Sequence, residues 1–328
     1  MAKGGGSSPD RLLEQLTVLR QVPSSPEFAA ALRKALAQAS PVLVARAAEL
    51  CARHGRGELV PDLVAAYERT AARGGADADR QYVARTAVAK ALVDLKAGVE
   101  ADRVYLHGVR PGGGGSAAAS YNDPAAELRA ACGFGLVIAN HRRALVVNTD
   151  LLADPAPLVR VAAARALAGT GQPAAALPLR LKLSLGDREP EVLAECVTGL
   201  MTLAAAESVD AAARATYHED EGVRAAAAIA LGTSRQPEAL EVLQAAFSRE
   251  GEPAVRKTIL IAAASTRSAA AADWLIEVVA RQPVPAAAEA IEALGPYRLD
   301  ETVRRRVGEA VAARGEPGLA SAMRAALG

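Results

Sequence analysis

The chain has 328 residues, with 38 Lys and Arg against 37 Asp and Glu for a formal net charge of +1, and it is 51% hydrophobic but 3% aromatic. Balanced charge leaves no bulk field to draw in nucleic acid or an anionic membrane. A core poor in aromatic residues favours closely packed helices over a β-sandwich.

In chain order, residues 1–8 (MAKGGGSS) carry no apolar run. They read as a disordered leader without a secretory signal. No stretch of about 18 apolar residues follows, so the expectation is a cytoplasmic protein that makes no use of the membrane. Residues 9–39 read as a helical N-terminal cap. From residue 40 a pattern begins and recurs to residue 296, clearest in DPAPLVRVAAARAL (154–167), DREPEVLAECVTGL (187–200), HEDEGVRAAAAIAL (218–231) and GEPAVRKTILIAAA (251–264). Val159, Val192, Val223 and Val255 are spaced 33, 31 and 32 residues apart. Arg follows as Arg160, Arg224 and Arg256, with Leu193 as the exception. The register extends forward to Ala286. It extends backward to Leu128-Arg129, to Ala84-Arg85 and, more loosely, to Ala45-Arg46. That makes about eight units.

Within each unit apolar residues recur at helical spacing and Pro stands near helix starts. Gly169, Gly232 and Gly295 read as left-handed caps at helix ends. An acid lies six residues before the arginine as Asp79/Arg85, Asp123/Arg129, Asp154/Arg160 and Glu250/Arg256; Asp187 meets Leu193, and His218 stands six before Arg224. The acid is expected to cap the N-terminus of the helix that carries the arginine. Residues 297–328 read as a C-terminal helical cap.

This pattern resembles the HEAT-repeat family, especially its short bacterial, phycobilisome-lyase-like form, within the armadillo-like solenoids. The resemblance implies an all-α fold, a right-handed α-α superhelix of about eight two-helix repeats. It also implies that Asp79, Arg85, Asp123, Arg129, Asp154, Arg160, Arg224, Glu250 and Arg256 form a structural ladder between neighbouring units. Repeats share what stacking needs, so a ladder is favoured over a row of arginines that binds an acidic partner.

The departure from the period is PGGGGSAAASYND, residues 111–123, which matches the excess length between Ala84 and Leu128. It is not a phosphate loop: Ser116 follows Gly115 where a Gly-Lys-Ser/Thr ending is needed, and no strand precedes it. It reads as a surface insertion in the turn of one unit. Tyr121, Asn122, Arg142 and Arg143 are the candidate partner-binding residues.

No catalytic motif, cofactor fingerprint or metal-ligand spacing occurs among His54, His107, His141 and His218 or the three cysteines, Cys51, Cys132 and Cys196, which read as buried apolar side chains. Trp274 reads as a packing residue. The expectation is a non-catalytic scaffold that grips a protein partner in the concave face of a solenoid, with no cofactor and no metal. The alternatives are an accessory enzyme subunit of the bilin-lyase type, which rests on analogy alone, and, further off, a DNA glycosylase-like protein. The latter lacks the basic and aromatic residues of a DNA groove.

Overall fold

A computed structural model describes residues 9–72, 78–110 and 123–328. Asp79's side chain, Tyr121, Asn122, the leader 1–8 and the glycine insertion up to residue 122 lie outside the described residues. Among the described residues every regular element is helical, and the fold class is an all-α superhelix of paired helices. The chain divides into two compact units, Met1–Thr170 and Gly171–Gly328.

The first unit holds α1 (Pro9–Leu19), α2 (Pro26–Leu36), α3 (Pro41–Arg53), α4 (Val60–Ala71), α5 (Ala78–Asp94), α6 (Asp102–Gly108), α7 (Ala126–Ile138), α8 (Ala144–Leu151) and α9 (Pro157–Gly169). The helices α3, α5, α7 and α9 pack one on the next as an inner row. Each is backed by the helix before it in an outer row, as in α2 with α3, α4 with α5, α6 with α7 and α8 with α9.

The second unit repeats the scheme. Its outer row is α10 (Ala176–Leu185), α12 (Val209–Ala215), α14 (Ala239–Arg249), α16 (Ala269–Arg281) and α18 (Glu301–Arg314). Its inner row is α11 (Pro190–Leu203), α13 (Glu221–Ser234), α15 (Pro253–Ser265), α17 (Val284–Ala293) and α19 (Pro317–Leu327). The last pair is a regular repeat: α19 packs on α17, and Leu319 fills the slot held earlier by Val255 and Ala286, buried like them.

Five of the inner helices, α3, α9, α11, α15 and α19, start at proline. Pro41, Pro157, Pro190, Pro253 and Pro317 stand in the first turn, where the missing N–H costs nothing and φ is already helical. Burial follows the register, with Val159, Val192, Val223 and Val255 all inside. In the first repeat the buried slot is Leu43, reached from the Ser40 cap, so the Ala45-Arg46 alignment is two residues late. Arg46 pairs with Glu49 on its own helix at 2.9 Å.

The glycines differ from expectation. Gly232 lies inside α13, and a Cβ there would collide with the Ala262 backbone of α15, so it is the point where two inner helices touch backbone to backbone. The left-handed residue that ends α13 is Arg235. Gly171, two residues beyond Gly169, takes the positive φ, and Gly295 opens a 3-10 turn.

Candidate functional site

The acid–arginine ladder is built from turns. Asp123 Oδ1 accepts the N–H of Ala125, Asp154 Oδ1 that of Ala156, Asp187 Oδ1 that of Glu189, and Glu250 Oε1 that of Glu252, each at 2.9 Å. The acid therefore closes the turn ahead of the helix and does not occupy the N-cap, which is Ala125, Ala156, Glu189 and Glu252 respectively. His218 keeps this geometry without the charge: its Nδ1 accepts the N–H of Asp220 at 3.0 Å, and Asp220 caps α13 through Val223.

The arginine then ties turn to turn. Arg129 reaches forward with Nε and Nη2 to both oxygens of Asp154, each at 2.8 Å, and back to Asp123 Oδ2 at 2.7 Å. The side chains of Arg129 and Asp154 are 4% and 8% exposed, so this is a buried, bidentate rung. Arg224 repeats it, donating to Glu250 at 2.8 and 3.2 Å and to the carbonyls of His218 and Glu219. Arg160 donates to the carbonyls of Asp154 and Pro155 in the same way.

Two positions depart. The repeat whose arginine slot is Leu193 is followed by the repeat whose acid slot is His218, so both halves of that rung are uncharged; Leu193 is buried in the apolar core. Arg256 meets no carboxylate among the described residues. The slot six residues ahead of the next arginine position is Arg281, and the Arg256 guanidinium lies 4.9 Å from the Phe247 ring centroid instead. Arg85 stacks over Tyr82 at 4.2 Å. Burial tends to raise the carboxyl pKa of Glu250, but the Arg224 hydrogen bond and the Glu252 N–H outweigh it and hold it below its ordinary value. Asp123 is lowered in the same sense, its burial outweighed by the Ala125 N–H and Arg129.

The inner row of the first unit carries a groove of about 780 Å³ between α3, α5 and α7. Its floor is small, made by Ala45, Ala52, Thr86, Ala87 and Ala91. Its walls carry Glu49, Arg53, Tyr82, Val83, Lys90, Asp94 and Glu127. Lys90 pairs with Glu127 at 2.7 Å. Arg53 and Asp94 make no ion pair among the described residues and are open to solvent. Arg142 and Arg143 are exposed in the turn before α8 and do not line this groove. The sequence reading missed Val83, Lys90 and Asp94; their signal was their position on the outward side of a buried Ala84–Val88–Leu92 stripe.

The other residues scanned for chemistry are occupied. Cys51 and Cys196 are buried and their thiols are pushed up to about 12, chiefly by burial; Cys132 is raised further by the same cause. His107 Nδ1 meets the Tyr67 hydroxyl at 3.0 Å beside a shallow cleft of about 340 Å³ between α4 and α6. Burial, then Arg110 and Arg85, lower the His107 pKa, while burial raises that of Tyr67. Trp274 packs edge-on to Phe247, with centroids 5.5 Å apart. No group of His, Cys, Asp and Glu among the described residues is arranged to hold a metal ion, and no described helix is long and apolar enough to cross a membrane.

Stacked helix pairs whose turns are tied, at several repeats, by a charged rung define an α-solenoid repeat protein. Residues 177–251 match the HEAT repeats family. Solved structures of the same fold include the karyopherin Kap121p, at 12% identity and a TM-score of 0.55 over 99% of this chain and 41% of that one. Kap121p bound to Pho4p matches at 12% identity and a TM-score of 0.51, over 98% and 41%. The complex of CpcE and CpcF of phycocyanin lyase from Nostoc sp. PCC7120 has 18% identity and a TM-score of 0.41, over 75% of this chain and 94% of that one. No curated protein matches.

Proposed function

We propose that this protein is a non-catalytic scaffold that holds a protein partner on the inner row of its first unit. The observation that carries the reading is the groove between α3, α5 and α7. It combines an alanine-rich floor, which lets a partner backbone approach closely, with exposed Val83 on its walls beside Arg53 and Asp94, which make no ion pair among the described residues. Apolar area with a few charged groups at the edge is the make-up of a protein interface. Support comes also from the buried thiols, whose raised pKa removes them as nucleophiles at neutral pH.

The test compares the purified protein with Val83→Asp in affinity capture from its host, read by mass spectrometry. Val83 is 54% exposed, so the variant folds; circular dichroism checks this. One protein retained in stoichiometric amount by the parent and lost with Val83→Asp is the expected result. A partner retained equally by both, or turnover of a small molecule by the purified protein, overturns the reading.

A further inference from the structure

The outer helices of the second unit keep a strict register. Leu179, Ala211, Leu243, Leu275 and Val307 recur every 32 residues and are all buried. The positions two before, two after and six after this anchor lie on the opposite, outward line of each helix. On α16 that line is Asp273, Glu277 and Arg281, with Arg281 paired to Glu277 at 2.5 Å. On α18 it begins Arg305 and Glu309, paired at 2.7 Å. These are ordinary solvated helix faces.

On α10 the same line is Leu177, Leu181 and Leu185, exposed by 72%, 60% and 75%. On the adjoining α12 the line fades: Val209 is half-buried against the core and Ala213 is half-buried, but Tyr217, two residues past the helix end, is 67% exposed. Scattered exposed leucines need no explanation. Three exposed leucines in line on one helix, with exposed Tyr217 after the next, at positions where sister repeats carry charge, mark an interaction surface.

The rim carries four arginines, Arg180, Arg188, Arg214 and Arg249, against two exposed acids, Glu207 and Asp210, and is net positive. Arg180 joins the two helices, donating to the Glu207 carbonyl and lying 3.6 Å from Asp210. Arg214 holds Asp210 from the other side at 3.0 Å. Arg249 stacks 3.3 Å over the Tyr217 ring, and exposed Arg188 has no ion pair among the described residues. A second copy of the chain would set arginine rim against arginine rim. A lipid surface would have to dehydrate Asp210, which is 60% exposed between the helices.

We infer that the outward face of α10 and α12 is a second docking surface, and that it takes an amphipathic helix whose apolar stripe is flanked by carboxylates. Leucines at i, i+4 and i+8 match side chains at the same helical spacing on such a partner, and the arginines fork onto its acids.

The probe is a synthetic helix with leucines at i, i+4 and i+8 and glutamates beside them, paired with a version carrying lysines in place of glutamate. Fluorescence anisotropy with the full chain is expected to show binding of the glutamate helix, weakened by added salt. The lysine helix binds at least about tenfold more weakly, and Leu181→Asp weakens the glutamate helix by about tenfold or more. Arg188→Glu narrows the gap between the two helices. Val83→Asp leaves these affinities unchanged, which separates this surface from the groove of the first unit. Equal affinity for both helices, or no effect of Leu181→Asp, overturns the inference. So does a dimer in analytical ultracentrifugation that Leu181→Asp dissociates, or binding to phosphatidylserine-containing vesicles that this variant abolishes.

Discussion

Arg129 is the residue on which the first unit's turns depend. Its guanidinium and the Asp154 carboxylate are both buried, so removing one leaves the other as an uncompensated charge in a dry site. Breaking such a pair costs about 3–5 kcal/mol. Arg129→Ala is therefore expected to lose that much stability in denaturant titration. Lys257→Ala, which breaks an exposed pair with Glu292, loses less than about 1 kcal/mol. A loss at Arg129 no greater than at Lys257 would mean the ladder is decorative. Glu250 adds a pH dependence. Its folded pKa is depressed, so its contribution is present above the unfolded carboxyl value of about 4.3 and fades as pH falls through the folded one. Urea midpoints between pH 6 and pH 3 should fall less steeply for Glu250→Gln than for the parent; parallel curves would contradict the rung. The acid–arginine spacing was legible in the sequence because each rung repeats. The turn-closing role of the acids was not: a side chain that accepts an N–H two residues on and one that caps a helix three residues on look alike in sequence. Nor did His218 announce that its ring nitrogen replaces a carboxylate.

At the scale of elements, the inner rows are held close by small residues. Gly232 sets α13 against α15 where a side chain would strike backbone, which cannot rotate away. Gly232→Ala gains about 1 kcal/mol in helix propensity, but overpacking costs about 1–3 kcal/mol; the collision is with main chain, so overpacking wins and the melting temperature falls. Gly318, in α19, has nothing within 4 Å of its added Cβ, and Gly318→Ala should hold or raise the melting temperature. Equal responses at the two sites would refute a backbone contact at Gly232. The helices themselves were readable from period, proline and breaker. The outer-row register was harder, because alanine-rich helices such as α12 give a weak apolar contrast. The exposure of the leucine line on α10 shows only once Leu179 is seen to take the buried side. The last two helices, read as a cap, pack in the same way as the other pairs, with Pro317 and Leu319 in the usual slots.

For the whole molecule, the repeat supplies the frame. The solenoid architecture was legible from four recurring segments, since a solenoid writes its fold once per unit. The groove was not, because its walls come from helices far apart in sequence: Glu49, Lys90 and Glu127 meet only after stacking. Of the residues the sequence offered for partner binding, Arg142 and Arg143 lie outside that groove. The most direct test of the central claim is hydrogen exchange by mass spectrometry on the protein with its captured partner bound. The account predicts slowed exchange across α3, α5 and the start of α7, with the far helices α15 to α19 unchanged. Slowed exchange confined to helices other than α3, α5 and α7 would contradict it.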